Sequence, residues 1–294
     1  MKKGNKLKEI SLNVCQGVGD IFWVYQKFSP HFDKINFNIL QIIDDNVQNR
    51  AKSFLKILPK IGEIQAKIVS PQYYDNVSKS TYKMAEIFKE YEKEQKASDY
   101  CCNKFLEDGI RIEQIDPDYT IQETVDLPMM EVDLPYKPHE YVVVYVSGSV
   151  KQNHPLKLGA WPCNKWSLFI GKLFNKYKCN LPVILIGASY DKDAIIEMQK
   201  ELKKHSISSS YFVDMWPIKL LYLLKNSKFF IGYQSGLNVL ADNLDVPQLM
   251  LYFPFLEKML YSWPKKKNIE SGIYNAAIFK QNINEIIKNI NIKM

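Results

Sequence analysis

Four short clusters in this chain combine small, polar and charged residues in patterns able to hold a phosphorylated ligand. "QGVGD" (16–20) sets Gly17 and Gly19 ahead of Asp20. Glycines let a backbone turn tightly and let a ligand come close. A carboxylate opening a helix serves either as an N-cap or as an acid–base group. "SGSVKQNHPLKLGAWP" (147–162) follows an apolar run with Ser147 and Ser149, then Lys151, His154 and Lys157. Small residues with basic neighbours suit phosphate oxygens; they suit a solvated loop equally well. "VDMWP" (213–217) puts Met215 beside Trp216, either to sandwich a flat base or to fill a core. "YQSGLN" (233–238) supplies Gln234, Ser235, Gly236, Leu237 and Asn238 where an apolar run gives way to a helical pattern. Backbone N–H groups at such a start, with the helix dipole, suit a diphosphate. Ser235 and Asn238 would add side-chain donors, although an ordinary serine cap with a glycine turn is spelled the same way.

These clusters need elements to carry them, and the C-terminal half alternates regularly. "EYVVVYVSGS" (140–149) and "LPVILIGAS" (181–189, ending at Gly187) read as buried strands, "SSYFVDM" as a short strand, and "KFFIGY" and "PQLMLYF" as further strands. Between them, residues 164–177, 191–205, 217–227 and "SGLNVLADNL" carry helical spacing, with Asp at one start and Pro217 at another. The order β-α-β-α-β-α-β-α-β predicts a parallel, doubly wound sheet. The N-terminal half predicts strands over 9–15, 35–43 and 61–70, helices over 20–28 and 49–60, a polar helical stretch over 76–108 and a strand at "GIRIEQI". "VDLPMMEVDLPYKPHE" (125–140), with three prolines, reads as a linker. The expected fold class is α/β: two Rossmann-like, doubly wound parallel-sheet domains, 1–135 and 136–294, facing across a cleft where the ligand binds. In such sheets ligands sit outside the carboxyl ends of the strands, where all four clusters fall.

Composition bounds the function. A 294-residue chain with 46% hydrophobic and 24% charged residues can bury a substantial core. No apolar run approaches the roughly 18 residues of a membrane span. The N-terminus has a basic start but no apolar stretch after it, so no secretory signal is expected. Five cysteines form no C-x-x-C pair and four histidines are scattered, which predicts a reduced, cytoplasmic, metal-free chain. Residues 1–140 hold 19 Lys and Arg against 22 Asp and Glu, whereas residues 141–294 hold 20 against 10. The basic half fits an anionic ligand or surface; drift in a chain with only two arginines, Arg50 and Arg111, explains it as well. That scarcity argues against base-specific reading of duplex DNA, where bidentate arginine is the commonest device.

In order and spacing the clusters resemble glycosyltransferase family 9, the ADP-heptose:lipopolysaccharide heptosyltransferases and their relatives. "GVGDIFWVYQKF" looks like the family's N-terminal Gly-Asp motif, and "FLKILPKIGEIQAKIV" like its second helix–strand unit. "GAWPCNKWSLFIGKLFNKYKCNLPVILIGASYDKD" is similar to its W-P-x-x-x-W block. "DMWPIKLLYLLKNSKFFIGYQSGLNVLADNLDVPQLMLYFP" is similar to its nucleotide-binding signature. The resemblance covers most of the chain and is weakest over 70–135. Gln234 stands where the family commonly has an acid, and Val239 where it has His. Gly159 and Ala160 precede Trp161 where the family has a basic residue, with Lys157 the nearest substitute.

The resemblance implies the GT-B fold and inverting, metal-independent transfer from a nucleotide sugar, ADP- or other NDP-linked, to a hydroxyl of a saccharide or lipid-linked acceptor. Asp20 is carried over as the catalytic acid–base residue. Gly17, Gly19, Ser147, Ser149, Lys157, Gly187, Met215, Trp216 and Gln234 to Asn238 are carried over as the donor site. No cofactor or metal is implied. A carboxylate at a helix N-terminus should have a lowered pKa, which suits charge stabilisation better than proton capture. Two alternatives stay open: a nucleic-acid acceptor such as modified phage DNA bases, and a non-catalytic nucleotide-sugar binder. The lysines of "SWPKKKN" (262–268) offer a peripheral contact with anionic lipid at the inner membrane face, or a solvated loop.

Overall fold

The structure, a computed structural model, describes residues 8–42, 48–90, 124–146, 161–252, 273–277 and 282–290. The chain divides into two compact units, with the break between Pro128 and Met129.

The first unit holds a parallel three-stranded sheet in sequence order: β1 (Glu9–Val14), β2 (Lys34–Gln41) and β3 (Ile61–Ile68). Helix α1 (Val18–Phe28) joins β1 to β2, and α2 (Gln48–Leu55) precedes β3. With strands in sequence order and right-handed crossovers, both helices fall on one face of the sheet. Ile10, Leu12, Val14, Ile35, Phe37 and Ile39 alternate onto a single face and are all buried. Helix α1 is apolar nearly all round, burying Ile21, Phe22, Trp23, Val24, Tyr25 and Phe28, as befits a helix with little solvent face.

The opposite face of this sheet is polar. Register places Glu9 beside Lys34, Ser11 beside Asn36, and Asn13 beside Asn38, which in turn pairs with Gln65. Glu9 Oε1 accepts from Lys34 Nζ at 2.7 Å and from Asn36 Nδ2 at 2.8 Å. Asn36 Oδ1 accepts the Glu63 N–H at 2.7 Å. A Cβ on Gly62 would meet the Asn36 and Lys34 side chains. Helix α3 (Pro71–Glu90) begins beside this face, where Asn13 Nδ2 donates to the Tyr73 hydroxyl at 3.3 Å.

The second unit holds a parallel six-stranded sheet of β4 (Val142–Tyr145), β5 (Val183–Gly187), β6 (Ser209–Val213), β7 (Phe229–Tyr233), β8 (Gln248–Tyr252) and β9 (Ile273–Ala277). Its order is β6-β5-β4-β7-β8-β9. Counted from β4 this is 3-2-1-4-5-6, the dinucleotide-binding order, with its switch point between β4 and β7. The connecting helices are α4 (Cys163–Tyr177), α5 (Lys192–Lys204), α6 (Pro217–Lys225) and α7 (Gly236–Asn243); α8 (Ile283–Asn289) closes the chain. Val142, Val144, Val183, Leu185, Phe229, Ile231, Leu249 and Leu251 form one core with Trp166, Phe169, Met198 and Ile286. Val143, Ile184, Phe230 and Met250 alternate onto the other face and are equally buried. β4, β5, β7 and the Leu249–Leu251 run of β8 are therefore apolar on both sides, which explains their uninterrupted hydrophobic runs, whereas β6 (SSYFV) is only partly buried.

Three expectations change. β9, over "IYNAA", was not expected; Asn275 and the two alanines interrupt its apolar signal. The 125–140 stretch is no free linker: Val125 and Leu127 are buried, and the Met130 N–H donates to Ile218 O at 3.1 Å. The first sheet is not doubly wound among the described residues, its strands lying in plain sequence order. The expected strand at "GIRIEQI" falls outside the described residues.

Candidate functional site

The switch point is where strand polarity and crossover geometry open a crevice, and the "YQSG" stretch ends β7 there. The Gln234 N–H donates to Leu251 O at 2.9 Å, extending the β7–β8 ladder by one residue. Ser235 then takes an extended conformation as N-cap of α7. The Gly236 and Leu237 amides begin the helix and have no intrahelical partner by construction. The Gln234 Oε1 is buried with no hydrogen-bond partner among the described residues.

Asn238, expected as a ligand donor, is engaged inside the protein. It is fully buried, its Oδ1 accepts from Ser235 N at 3.0 Å and Ser235 Oγ at 3.1 Å, and its Nδ2 donates to Gln248 Oε1 at 2.9 Å. Gly187, also expected at the donor site, packs closely against the next helix. A Cβ there would meet Asp191 and Ile195 at 2.9 and 2.8 Å, so its missing side chain makes room for α5. Val239 is buried in the core.

The entry to α4 is tied to the same place. Tyr233 accepts the Trp161 N–H on its hydroxyl at 2.6 Å, inside an aromatic cluster. Trp166 stands edge-on to Tyr233, with ring centroids 4.9 Å apart. Tyr233 was not foreseen, because its role depends on a partner 72 positions away. Ser147, Ser149 and Lys157, expected to hold phosphate, lie outside the described residues.

Met215 and Trp216 do come together, where β6 runs into α6. With Met130, Val132, Phe212, Val213 and Lys219 they line an open cavity of about 430 Å³. Trp216 is 66% exposed, so it is not core packing. Asp214, at φ 49°, sharpens the preceding turn; its Oδ1 accepts the Ser189 N–H at 3.0 Å and its own N–H donates to Gly187 O at 3.0 Å. An aspartate tolerates this left-handed conformation better than most residues.

In the first unit, α1 begins at Val18 with Gly17 as N-cap, so Asp20 sits at the third helical position and is not the cap. Gly17 and Asp20 are coupled: a Cβ on Gly17 would collide with the Asp20 carboxylate. Gly19 is buried within the first turn. Burial pushes the Asp20 carboxyl up to about 6, the reverse of the lowering expected from the helix dipole. Desolvation by surrounding protein outweighs the dipole here. Cys15, raised to about 12 first by burial and then by Asp20, lies beside it; its Sγ–H points to Tyr74 O at 3.8 Å. Burial also raises the Tyr74 phenol, which hydrogen-bonds with the Gln16 backbone. The first turn of α3 thus seals the β1–α1 turn, a contact that the sequence pattern could not reveal.

Among the described residues there is no group of three His, Cys, Asp or Glu side chains placed to hold a metal ion. Asp191, in the Asp-Lys-Asp triplet, is buried and accepts the Ala188 N–H at 2.9 Å. No helix of the described residues is long and apolar enough to cross a membrane. The lysine-rich 262–268 stretch lies outside the described residues.

No family model matches the sequence. A stretch of 98 residues, 33% of this chain, is 21% identical to Reverse gyrase 2 of Aquifex aeolicus and spans only 8% of that protein. Solved structures are far more similar in shape. The glycosyl transferase family 9 protein of Veillonella parvula matches with a TM-score of 0.55 at 12% identity, over 92% of this chain and 86% of its own. The ADP-heptose lps heptosyltransferase II of E. coli matches at 0.53 and 12% identity, over 96% and 97%. E. coli heptosyltransferase WaaC with ADP matches at 0.50 and 12% identity, over 95% and 98%. The chain therefore shares the α/β, parallel-sheet fold of family 9 glycosyltransferases.

Proposed function

We propose that this protein is a glycosyltransferase that moves a sugar from a nucleoside diphosphate to a hydroxyl acceptor, a saccharide or a lipid-linked saccharide. The observation that carries this is the Gln234–Leu237 turn. It sets the free amides of a helix N-terminus at the switch point of a 3-2-1-4-5-6 sheet, within a fold shared with sugar-nucleotide enzymes. The cavity beside Met215 and Trp216 suits the base, since Trp216 offers an open aromatic face in the same sheet.

The transfer needs three functions. Asp20, ionised above about pH 6, takes the proton of the acceptor hydroxyl as that oxygen attacks the anomeric carbon. The new C–O bond forms as the bond from the anomeric carbon to the diphosphate oxygen breaks, on the opposite face, which inverts the centre. The departing diphosphate gathers negative charge, and the Gly236 and Leu237 amides with the α7 dipole compensate it without a metal ion. A cytoplasmic setting with peripheral membrane contact fits a lipid-linked acceptor.

A thermal-shift screen of ADP, UDP, GDP and their sugar conjugates tests this. A ligand at 100 times its Kd should stabilise the fold by about 2.7 kcal/mol. A nucleotide sugar that shifts the transition and is then consumed with a hydroxyl acceptor supports transfer. No shift with any of them overturns it. A shift without turnover leaves only a nucleotide-sugar binder.

A further inference from the structure

Beneath the proposed anion cradle lies a wholly buried pair of amides. Asn238 is the third residue of α7 and Gln248 the first of β8, and both are fully buried. They bond to each other twice: Asn238 Nδ2 donates to Gln248 Oε1 at 2.9 Å, and Gln248 Nε2 donates to Asn238 O at 3.1 Å. The far end of Asn238 holds Ser235, accepting both its N–H at 3.0 Å and its hydroxyl at 3.1 Å. A continuous chain of hydrogen bonds thus runs from the first residue of β8 to the N-cap of α7.

Such a cluster is not the cheapest way to fill a core. Each buried amide must be satisfied or it destabilises, and an apolar pair of the same shape can be equally stable. What the amides supply is direction. They fix the rotation of the first helical turn about its axis, and with it the aim of the Gly236 and Leu237 N–H vectors. The Ser235 hydroxyl, donating inward to Asn238, turns only lone pairs outward, which leaves the main chain as the donor to an anion.

We infer that Gln248 is a positioning residue for the anion site: acting through Asn238 and Ser235, it aims the first amides of α7 at the leaving diphosphate. This rests on the sugar-transfer reading above, and it assigns the fully buried Gln248 to the site.

The test compares wild type with Gln248→Leu and with the double variant Asn238→Leu/Gln248→Leu. Stability, ADP and UDP affinity by calorimetry, and hydrogen exchange of the Gly236 and Leu237 amides are measured on the full chain. Gln248→Leu alone strands the Asn238 amide and should lower stability together with affinity. The double variant removes the stranded Asn238 amide but leaves the Ser235 N–H and hydroxyl without their acceptor, so it should recover part of that stability. Its affinity should nevertheless stay between about 10- and 10²-fold weak, the scale of donors displaced by less than about 1 Å, and the two amides should exchange faster than in wild type. A double variant that is stable and binds as wild type does, or whose amides exchange at the wild-type rate, overturns the proposal. Should wild type bind neither ADP nor UDP, the sugar-transfer reading falls on its own. Amide exchange still decides whether Gln248 aims the turn: faster exchange in the stable double variant keeps it, and unchanged exchange rejects it.

Discussion

The two sheets of this protein are both parallel, yet they are built on opposite economies of burial. In β4, β5 and β7 successive residues are apolar whichever face they meet, and Val142, Val143 and Val144 are all fully buried. In β1, and in β2 from Lys34 to Ile39, every second residue is polar, and the pairs Glu9–Lys34, Ser11–Asn36 and Asn13–Asn38 stack across the strands. Strict alternation is the usual mark of antiparallel sheets with one wet face. Its presence in a parallel sheet shows that alternation reports burial, not strand direction. The six-stranded sheet carries the candidate binding features; the three-stranded sheet carries Asp20 at the turn after its first strand.

The largest effect should fall on that carboxylate. Asp20→Asn should lower the rate of transfer by about 10²–10⁴-fold, measured by product formation at saturating substrates. Wild-type activity should rise with pH through about 6, because the base must be ionised and burial raises its pKa to that value. The stability sign is opposite. A raised folded-state pKa means that the neutral carboxyl stabilises the fold fully below its ordinary value, near 3.8, and that this stabilisation is lost as pH rises through about 6. Asn stays neutral, so Asp20→Asn should gain stability over wild type as pH rises from 4 to 7. A variant that keeps its turnover removes Asp20 from the mechanism. A stability difference that does not grow over that range contradicts its burial.

Next in size is a direct probe of the doubly buried sheet. Leu185, on β5, is fully buried in the core shared with α4 and α5. Leu185→Ala should cost about 2–5 kcal/mol in chemical denaturation, from lost burial plus the cavity left behind. A cost under 1 kcal/mol would mean that this sheet is no better packed than the other.

The same contrast explains what could be read in advance. Continuous runs such as "VILIG" and "FFIGY" read as buried strands, so β4, β5, β7 and β8 of the C-terminal sheet were legible. The N-terminal strands were legible too, but not that one face is wet, because burial on the second face depends on which elements cover it. β9 escaped because "IYNAA" lacks β-branched continuity. At the site, the glycine and serine of "YQSG" spelled a helix start, and that is where α7 begins. The direction of the Asp20 shift was misread, since local sequence shows the helix dipole but not the mass that desolvates the carboxyl. Asn238 was assigned to the ligand because its true partner, Gln248, lies ten residues on, in the next strand.

Trp216 separates binding from stability within the six-stranded unit. It lines the open cavity yet is 66% exposed, so removing it empties no core. Trp216→Ala should weaken nucleoside diphosphate binding by about 1–3 kcal/mol, the range for a base stacked on an aromatic ring. The unfolding midpoint without ligand should stay nearly constant. Unchanged affinity would move the base elsewhere; a large fall in the midpoint would make the tryptophan structural after all.

The smallest effect should come from the wet face of the three-stranded sheet. Gln65 is exposed on β3, pairs in register with Asn38, and donates to Glu63 Oε2 at 3.1 Å. Gln65→Val trades a solvent-facing amide for a better strand former. Lost hydration and gained strand propensity nearly cancel, so the change should lie within about 0.5 kcal/mol of zero, as for most surface positions. The outcome discriminates because the position lies mid-strand in a parallel sheet, where a two-sided core would make a side-chain swap expensive. A shift beyond about 2 kcal/mol in either direction would show that face to be packed, and the difference between the two sheets would then be one of composition rather than of burial.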